Sequence, residues 1–275
     1  MAGGVRDDSA LRPAPRFMLQ AGHETPRRLQ KTANAAGTSR FGGVRALMGD
    51  DHGCHSSTLP HQSEQIMAAA MIPVLSPAEL QDYLDLGLLG FAMSRYSGCW
   101  VGIKAVGQTV ETSGIVDVDP DRINIVEPTD FEMPAGGLGI RRVDPSLAQE
   151  QGLHGPKMAA VAAFARANNL DKVSLGDDHA RLGIVTAGKS YLDVMEALIE
   201  LGITPEFARQ IGLKVYKLGL VWPIEPEGIR NFARGLDEIL VVEEKRGFIE
   251  DQIAKVLYNA PNGVKPSLIG KRDTS

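Results

Sequence analysis

Cysteine is nearly missing from this chain. Cys54 and Cys99 are the only two among 275 residues. A four-thiolate iron–sulfur cluster or a four-cysteine zinc site cannot be built from one copy. Nor do two cysteines make a disulfide framework, which fits a reducing, cytoplasmic setting. Aromatics are also sparse, at 5%, which disfavours a stacking platform for single-stranded nucleic acid. Charge of one sign is lacking too: 29 basic against 34 acidic residues give a net charge of −5. A mildly acidic chain has no overall field to draw in nucleic acid. No apolar run approaches the roughly eighteen residues a membrane span needs. No G-x-S-x-G, H-E-x-x-H or G-x-G-x-x-G is present.

What is there is an ordinary apolar fraction, 43%, arranged in alternating helix and strand signals. Residues 1–31 stand apart. They are rich in proline and arginine, without a sustained apolar period, and read as a disordered or unmatched leader. The signature of a secretory signal is missing, and Asp7, Asp8 and Glu24 count against a mitochondrial presequence. Further on, Ser76-Pro77-Ala78-Glu79 reads as a helix start with Ser76 as cap. A helical stripe runs to Phe91, and Gly98 marks the end. Cys99 to Val106 reads as a buried parallel strand. Residues 111–155 read as a long linker with a strand-like run at 123–126, followed by an alanine-rich helix over 158–168. The last hundred residues alternate strand (182–187), helix (190–201), strand (213–220), helix (226–236), strand (239–243) and helix (248–258). That order predicts right-handed crossovers and a parallel sheet.

Gly183-Ile-Val-Thr-Ala-Gly188-Lys189-Ser190 fits the phosphate-loop pattern G-x-x-x-x-G-K-[ST]. A phosphate loop needs its strand before the first glycine. Here Ile184-Val185 places the strand inside the motif, so a strand–turn–helix junction capped by Ser190 is the better reading.

A second cluster runs from Gly49-Asp50-Asp51-His52 through Cys54 and His55 to His61, Gln62 and Glu64. It follows a candidate strand, where open α/β sheets bind ligands. Its histidines, cysteine and acids raise zinc as one reading, but no pair has strong ligand spacing. A loop at a ligand cleft or domain interface is the other reading. Glu243-Glu244-Lys245-Arg246, at the end of a strand, could touch a ligand or a partner, but a solvated charge run is the better reading.

The chain also resembles a known family. The residues that carry the likeness are Asn34-Ala-Ala-Gly-Thr-Ser-Arg40, Gly49-Asp-Asp-His-Gly53, Ser56 to Glu64 and Ser94-Arg-Tyr-Ser-Gly-Cys-Trp100. It continues through 183–193, Trp222-Pro-Ile-Glu-Pro-Glu-Gly228 and Leu240 to Arg246. These resemble indolepyruvate:ferredoxin oxidoreductase, a 2-oxoacid:ferredoxin oxidoreductase, in its long single-chain bacterial form.

The resemblance implies an α/β chain that is an internal piece of a larger enzyme. Residues 32–142 are expected to be a partial pyrimidine-binding thiamine-type domain. Residues 143–179 are expected to link it to a transketolase-C-like three-layer α/β domain over 180–275. The implied activity is oxidative decarboxylation of aryl-pyruvates to acyl-CoA, with electrons passed to ferredoxin. Thiamine diphosphate with magnesium and iron–sulfur clusters would serve the whole enzyme. The family's activating glutamate, its GDG…N motif and its cluster cysteines have no counterpart here; Gly49-Asp-Asp and Gly176-Asp-Asp are GDD. The expectation is therefore that no cofactor binds this chain tightly, that no metal site exists, and that the chain alone is inactive. By resemblance and by their place near a candidate strand, Asn34, Thr38, Ser39, Arg40, Asp50, Asp51 and His52 are the expected cleft lining. Expected partners are the remaining domains, ferredoxin, coenzyme A and a second copy, with no nucleic acid or membrane. A P-loop nucleotide-binding protein and a non-catalytic α/β interaction domain are the competing classes.

Overall fold

The computed structural model describes residues 17–19, 27–39, 41–119, 121–141, 144–261 and 265–272. Two five-stranded sheets form the frame. In the first, the order is β1 (Phe17–Leu19), β2 (Arg45–Asp50), β4 (Val101–Val106), β3 (Val74–Leu75) and β8 (Leu220–Trp222). All pairs are parallel except β3 with β8. In the second, the order is β10 (Ser267–Ile269), β9 (Glu238–Val242), β6 (Leu182–Ala187), β7 (Leu213–Leu218) and β5 (Lys172–Leu175). Only β5 runs antiparallel. The α/β class and the parallel pairing are as expected.

The first sheet carries α1 (Arg27–Ala36), α2 (Glu64–Ala69), α3 (Leu80–Ser97) and α4 (Gly107–Val110). The long helix α3 starts three residues later than Ser76-Pro77 suggested. Glu79 is its cap, and Asp82 reaches back to accept from the Ala78 and Glu79 amides at 2.9 and 3.4 Å. The helix ends where expected. Gly98 takes the left-handed conformation, φ 69°. A Cβ there would also collide with the Leu138 carbonyl, so only glycine fits.

The expected domain boundaries do not follow the sheets. The stretch read as a linker with one helix, 143–179, holds that helix, α6 (Met158–Ala167), and also α5 (Ser146–Gly152), a π-turn over Leu153–Lys157 and β5. Leu153, Val161 and Phe164 share one core with Leu86, Leu89 and Met93 of α3, so this stretch is a layer of the first sheet. The run at 123–126 forms no strand. Strand β8 follows β7 after one residue, yet it joins the first sheet. A second core mixes Met48, Ile72 and Val74 with Val185, Tyr216, Ile239 and Ile253. The two sheets are thus sewn together. Two elements also fall within residues 1–31, where disorder was expected: β1 pairs with β2, and α1 begins at Arg27.

The second sheet carries α7 (Gly188–Glu200), α8 (Pro205–Ile211), α9 (Pro226–Ala233) and α10 (Ile249–Leu257). As anticipated, β6 occupies the four residues between the glycines of the phosphate-loop pattern. Helix α7 begins at Gly188, two residues before the expected cap Ser190.

Candidate functional site

A small cleft of about 30 Å³ lies at the carboxyl ends of β4, β6 and β9. Glu64, Ser76, Lys104, Ser190, Glu243 and Glu244 contribute its polar lining. Such ends are where open α/β sheets hold ligands, because loops and helix starts meet there.

Asp50, the last residue of β2, is buried. Its carboxylate accepts from Ser63 twice, from the hydroxyl at 2.5 Å and the amide at 3.1 Å. Burial pushes its pKa up, while Ser63 and Lys104 hold it back. Lys104 Nζ sits 2.5 Å from Glu64 Oε1 and 4.0 Å from Asp50 Oδ2. His52 is buried beside this pair. Its Nε2 lies 3.5 Å from Glu244 Oε2 and 4.0 Å from Asp50 Oδ2. Neither ring nitrogen makes a hydrogen bond. Burial, aided by the Lys104 charge, pulls the His52 pKa down to about 4. The imidazole is therefore neutral near pH 7, a proton acceptor in a charged surrounding.

The sequence-predicted residues divide between two ends of the sheet. Asp50 and His52 meet at the carboxyl end. Asn34 and Thr38 lie at the amino end, about 17 Å away by strand rise. Asn34 is fully buried; it donates to the Ala70 and Met71 carbonyls and accepts from the Trp100 amide at 2.8 Å. The Thr38 hydroxyl donates to the Ser94 carbonyl at 3.1 Å. Both pin the loop ahead of β4 and are placed to hold the chain. Ser39 is exposed and accepts from the Gly42 amide. Arg40 lies outside the described residues. Asp51 turns away from the cleft chemistry: it accepts from the amides of His55, Ser56 and Ser57, which hold its carboxyl well below the usual range.

Several cleft residues escaped the sequence reading. Lys104 was hidden in an apolar run, although a lysine inside a buried strand is itself a signal. Glu243 is no solvated charge. It accepts from the amides of Phe248, Ile249 and Glu250 at 2.8 to 3.0 Å and so caps α10. Among the described residues, no group of three or more His, Cys, Asp or Glu is arranged to hold a metal ion. Nor is any helix among them long and apolar enough to cross a membrane.

Among known proteins, the indolepyruvate oxidoreductase domain family matches residues 172–275. Two curated relatives are indolepyruvate oxidoreductase subunits IorA. That of Archaeoglobus fulgidus is 26% identical over 237 residues, covering 82% of this chain and 35% of the relative. That of Pyrococcus horikoshii is 26% identical, with 84% and 34% covered. The chain resembles the indolepyruvate oxidoreductases. It spans about a third of the length of these relatives. A solved 2-oxoglutarate:ferredoxin oxidoreductase from Magnetococcus marinus, with 2-oxoglutarate, coenzyme A and succinyl-CoA bound, superposes with a TM-score of 0.56. It is 16% identical and covers 89% of this chain and 48% of that one. That likeness concerns the fold, and it spans both sheets.

Proposed function

We propose that this chain is one part of a thiamine-diphosphate-dependent 2-oxoacid:ferredoxin oxidoreductase of the indolepyruvate type, acting in the cytoplasm. The observation that carries this reading is the reach of the match. The alignment to IorA subunits covers four fifths of the chain, so it includes both sheets and the cleft between them. In the whole enzyme, thiamine diphosphate supplies the electron sink for decarboxylation.

The described residues do not fit that cofactor on their own. Both Asp50 oxygens are taken by Ser63. Asp51 is consumed by three amides of its own loop. In the second GDD, Asp177 is bonded to the His179 amide. None of these three carboxylates is left free to share a metal with a diphosphate. The Cys99 thiol is buried, with its pKa pushed up to about 11, which suits a core residue. No reaction step is therefore assigned to these side chains. Glu64, Lys104, Glu243 and Glu244 form part of the cleft wall, with His52 and Asp50 packed beside Glu244 and Lys104, and the remaining domains bring the cofactor, the clusters, coenzyme A and ferredoxin.

The test has two arms. Calorimetry of the purified chain with thiamine diphosphate and magnesium should give no tight binding, and an anaerobic viologen assay with indolepyruvate should give no reduction. Adding the missing domains on a second chain should restore both. Turnover by the chain alone, or none with the companion present, would overturn the reading.

A further inference from the structure

A second cavity, of about 80 Å³, takes no part in the proposed function. It lies between the end of α1, the turn over 134–141, α5 and the π-turn. Lys157 is on its wall, at 6% exposure. This lysine closes the π-turn, which contains Pro156 and breaks the register between α5 and α6. Such turns gather at functional sites.

The Lys157 ammonium donates to the Ala35 carbonyl at 3.2 Å and to the Gly98 carbonyl at 3.5 Å. Both acceptors are neutral. Asp144 is the acid whose charge acts on Lys157, but its carboxylate pairs with Arg141 Nε at 2.8 Å. Burial accordingly pulls the Lys157 pKa down. A buried ammonium without its own counter-charge is costly.

The turn supplies an independent observation. Gly136 and Gly137 take the left-handed conformation, φ 86° and 73°. The Gly137 amide donates to Pro134, and the Ile140 amide to Thr38. Between them, the amides of Leu138 and Gly139, two residues of the cavity wall, have no acceptor among the described residues. Successive free amides beside left-handed residues are an anion-binding arrangement.

We propose that this cavity binds a small carboxylate-type monoanion, of the size of acetate or bicarbonate, between Lys157, Arg141 and the amides of Leu138 and Gly139. Two cations and one acid leave a single positive charge to meet, which suits a monoanion. The volume is roughly the share of two or three waters, enough for such an anion and too little for a nucleotide or coenzyme A. Ala35, Pro134 and Ala148 make the rest of the wall apolar, which disfavours a strongly hydrated dianion. The inference goes beyond the family reading and stands without it.

Amide NMR of the full chain tests it, with sodium acetate, bicarbonate, chloride and phosphate added at constant ionic strength. The expected result is saturable shifts at Leu138, Gly139 and Lys157 with acetate, bicarbonate or both; the tighter of the two names the source. Chloride and phosphate should bind much more weakly. Arg141→Gln changes a half-exposed side chain and should weaken binding about fivefold. Lys157→Met keeps the apolar stem, removes the charge and should abolish the shifts. No saturable shift with either carboxylate would overturn the proposal. So would chloride or phosphate saturating the same amides as tightly, which would mean a site for an adventitious ion only. Full affinity retained in Arg141→Gln would overturn it as well, whether or not Lys157→Met folds.

Discussion

Strands β2 and β7 occupy equivalent places, each flanked by a partner on both sides. They are finished differently. All six residues of β7 are buried. In β2 burial alternates, leaving Leu47 42% exposed. A Cβ added at Gly49, on the same face, would meet nothing within 4 Å. Parallel sheets ordinarily have both faces covered. The second sheet meets that rule at β7, and the family match over 172–275 coincides with it. The first sheet leaves one face of β2 to solvent and borrows an edge, β8, from the other half. The two halves are therefore unequal: β7 is covered on both faces, whereas β2 is bare on one and its sheet takes an edge strand from the other half.

The largest expected effect tests that dependence. Leu220 in β8 is fully buried in the core of the first sheet, with Leu75, Leu86 and Val101. Leu220→Ala should cost about 2–5 kcal/mol in denaturant unfolding, by lost transfer energy plus a cavity. Hydrogen exchange should then rise in β3 and β4 before it rises in β6 and β9. A loss confined to the second sheet would break the comparison.

A somewhat smaller effect should come from the seam. Arg166 on α6 donates to Glu225 at 2.7 Å and to Asp130 at 2.7 and 2.9 Å. Glu225 is buried and also caps α9 through the Glu227 and Gly228 amides. Arg166→Ala leaves that carboxylate short of a cation. Because the guanidinium is partly in water, the cost should be about 2 kcal/mol, less than the roughly 3–5 of a fully buried pair. Urea unfolding measures it. The double variant Arg166→Ala with Glu225→Ala should lose less than the sum of the singles.

The two halves also differ in how far they could be read from sequence. In the second, strands 182–187 and 239–243 and helices 226–236 and 248–258 stand within a few residues of the observed elements. Each signal there is a continuous apolar run or a 3.6-residue stripe bounded by turn residues. In the first, β3 is two residues long and β1 three, too short for any period to register. Strand β8 was merged with β7, because only Gly219 separates them in sequence and the tertiary pairing alone divides the two. Asp50 and His52 lie at the carboxyl end of β2, where their place after a strand put them, but beside the cleft residues Lys104 and Glu244 rather than in the lining itself. Asn34 and Thr38 were drawn in by motif, but polar groups buried to satisfy backbone look the same in sequence as groups that meet a ligand. Glu243 looked solvated because its partners, the amides of a helix start, leave no mark in the sequence.

Titration sharpens the contrast between the cleft and the seam. His52 falls to about 4 in the folded state from an ordinary 6.5. The unfolded chain therefore binds more protons between those values. The His52 contribution is fully present above pH 6.5 and is lost as pH falls toward 4, by up to about 3 kcal/mol. Asp171 holds the turn between β7 and β8, accepting from the Gly219 and Leu220 amides, and burial pushes it up to about 7 from 3.8. Its contribution is greatest below 3.8 and is lost as pH rises toward 7, and the raised Asp50 and Glu243 act in the same sense. In the parent chain the His52 slope partly offsets the others between pH 4.5 and 6.5. His52→Gln should make stability fall as pH rises through that window, and Asp171→Asn should make it climb. Urea midpoints at four pH values would check both slopes, and parallel profiles for all three chains would refute the assignment.

The smallest expected effect is on the bare face itself. Leu47 points away from both cores, so Leu47→Asp removes little buried area from the chain alone. Its cost should stay within about 0.5 kcal/mol, as for other surface changes. The same substitution in β7, Val215→Asp, puts an unpaired charge at a fully buried site and should prevent folding. A loss above roughly 1 kcal/mol at Leu47 would mean that this face is covered within the fold and that the contrast between the strands is false. A harmless Leu47→Asp that nonetheless blocks rescue by the companion domains would assign the face to them. The exposed leucine would then be the place where the unequal half is completed.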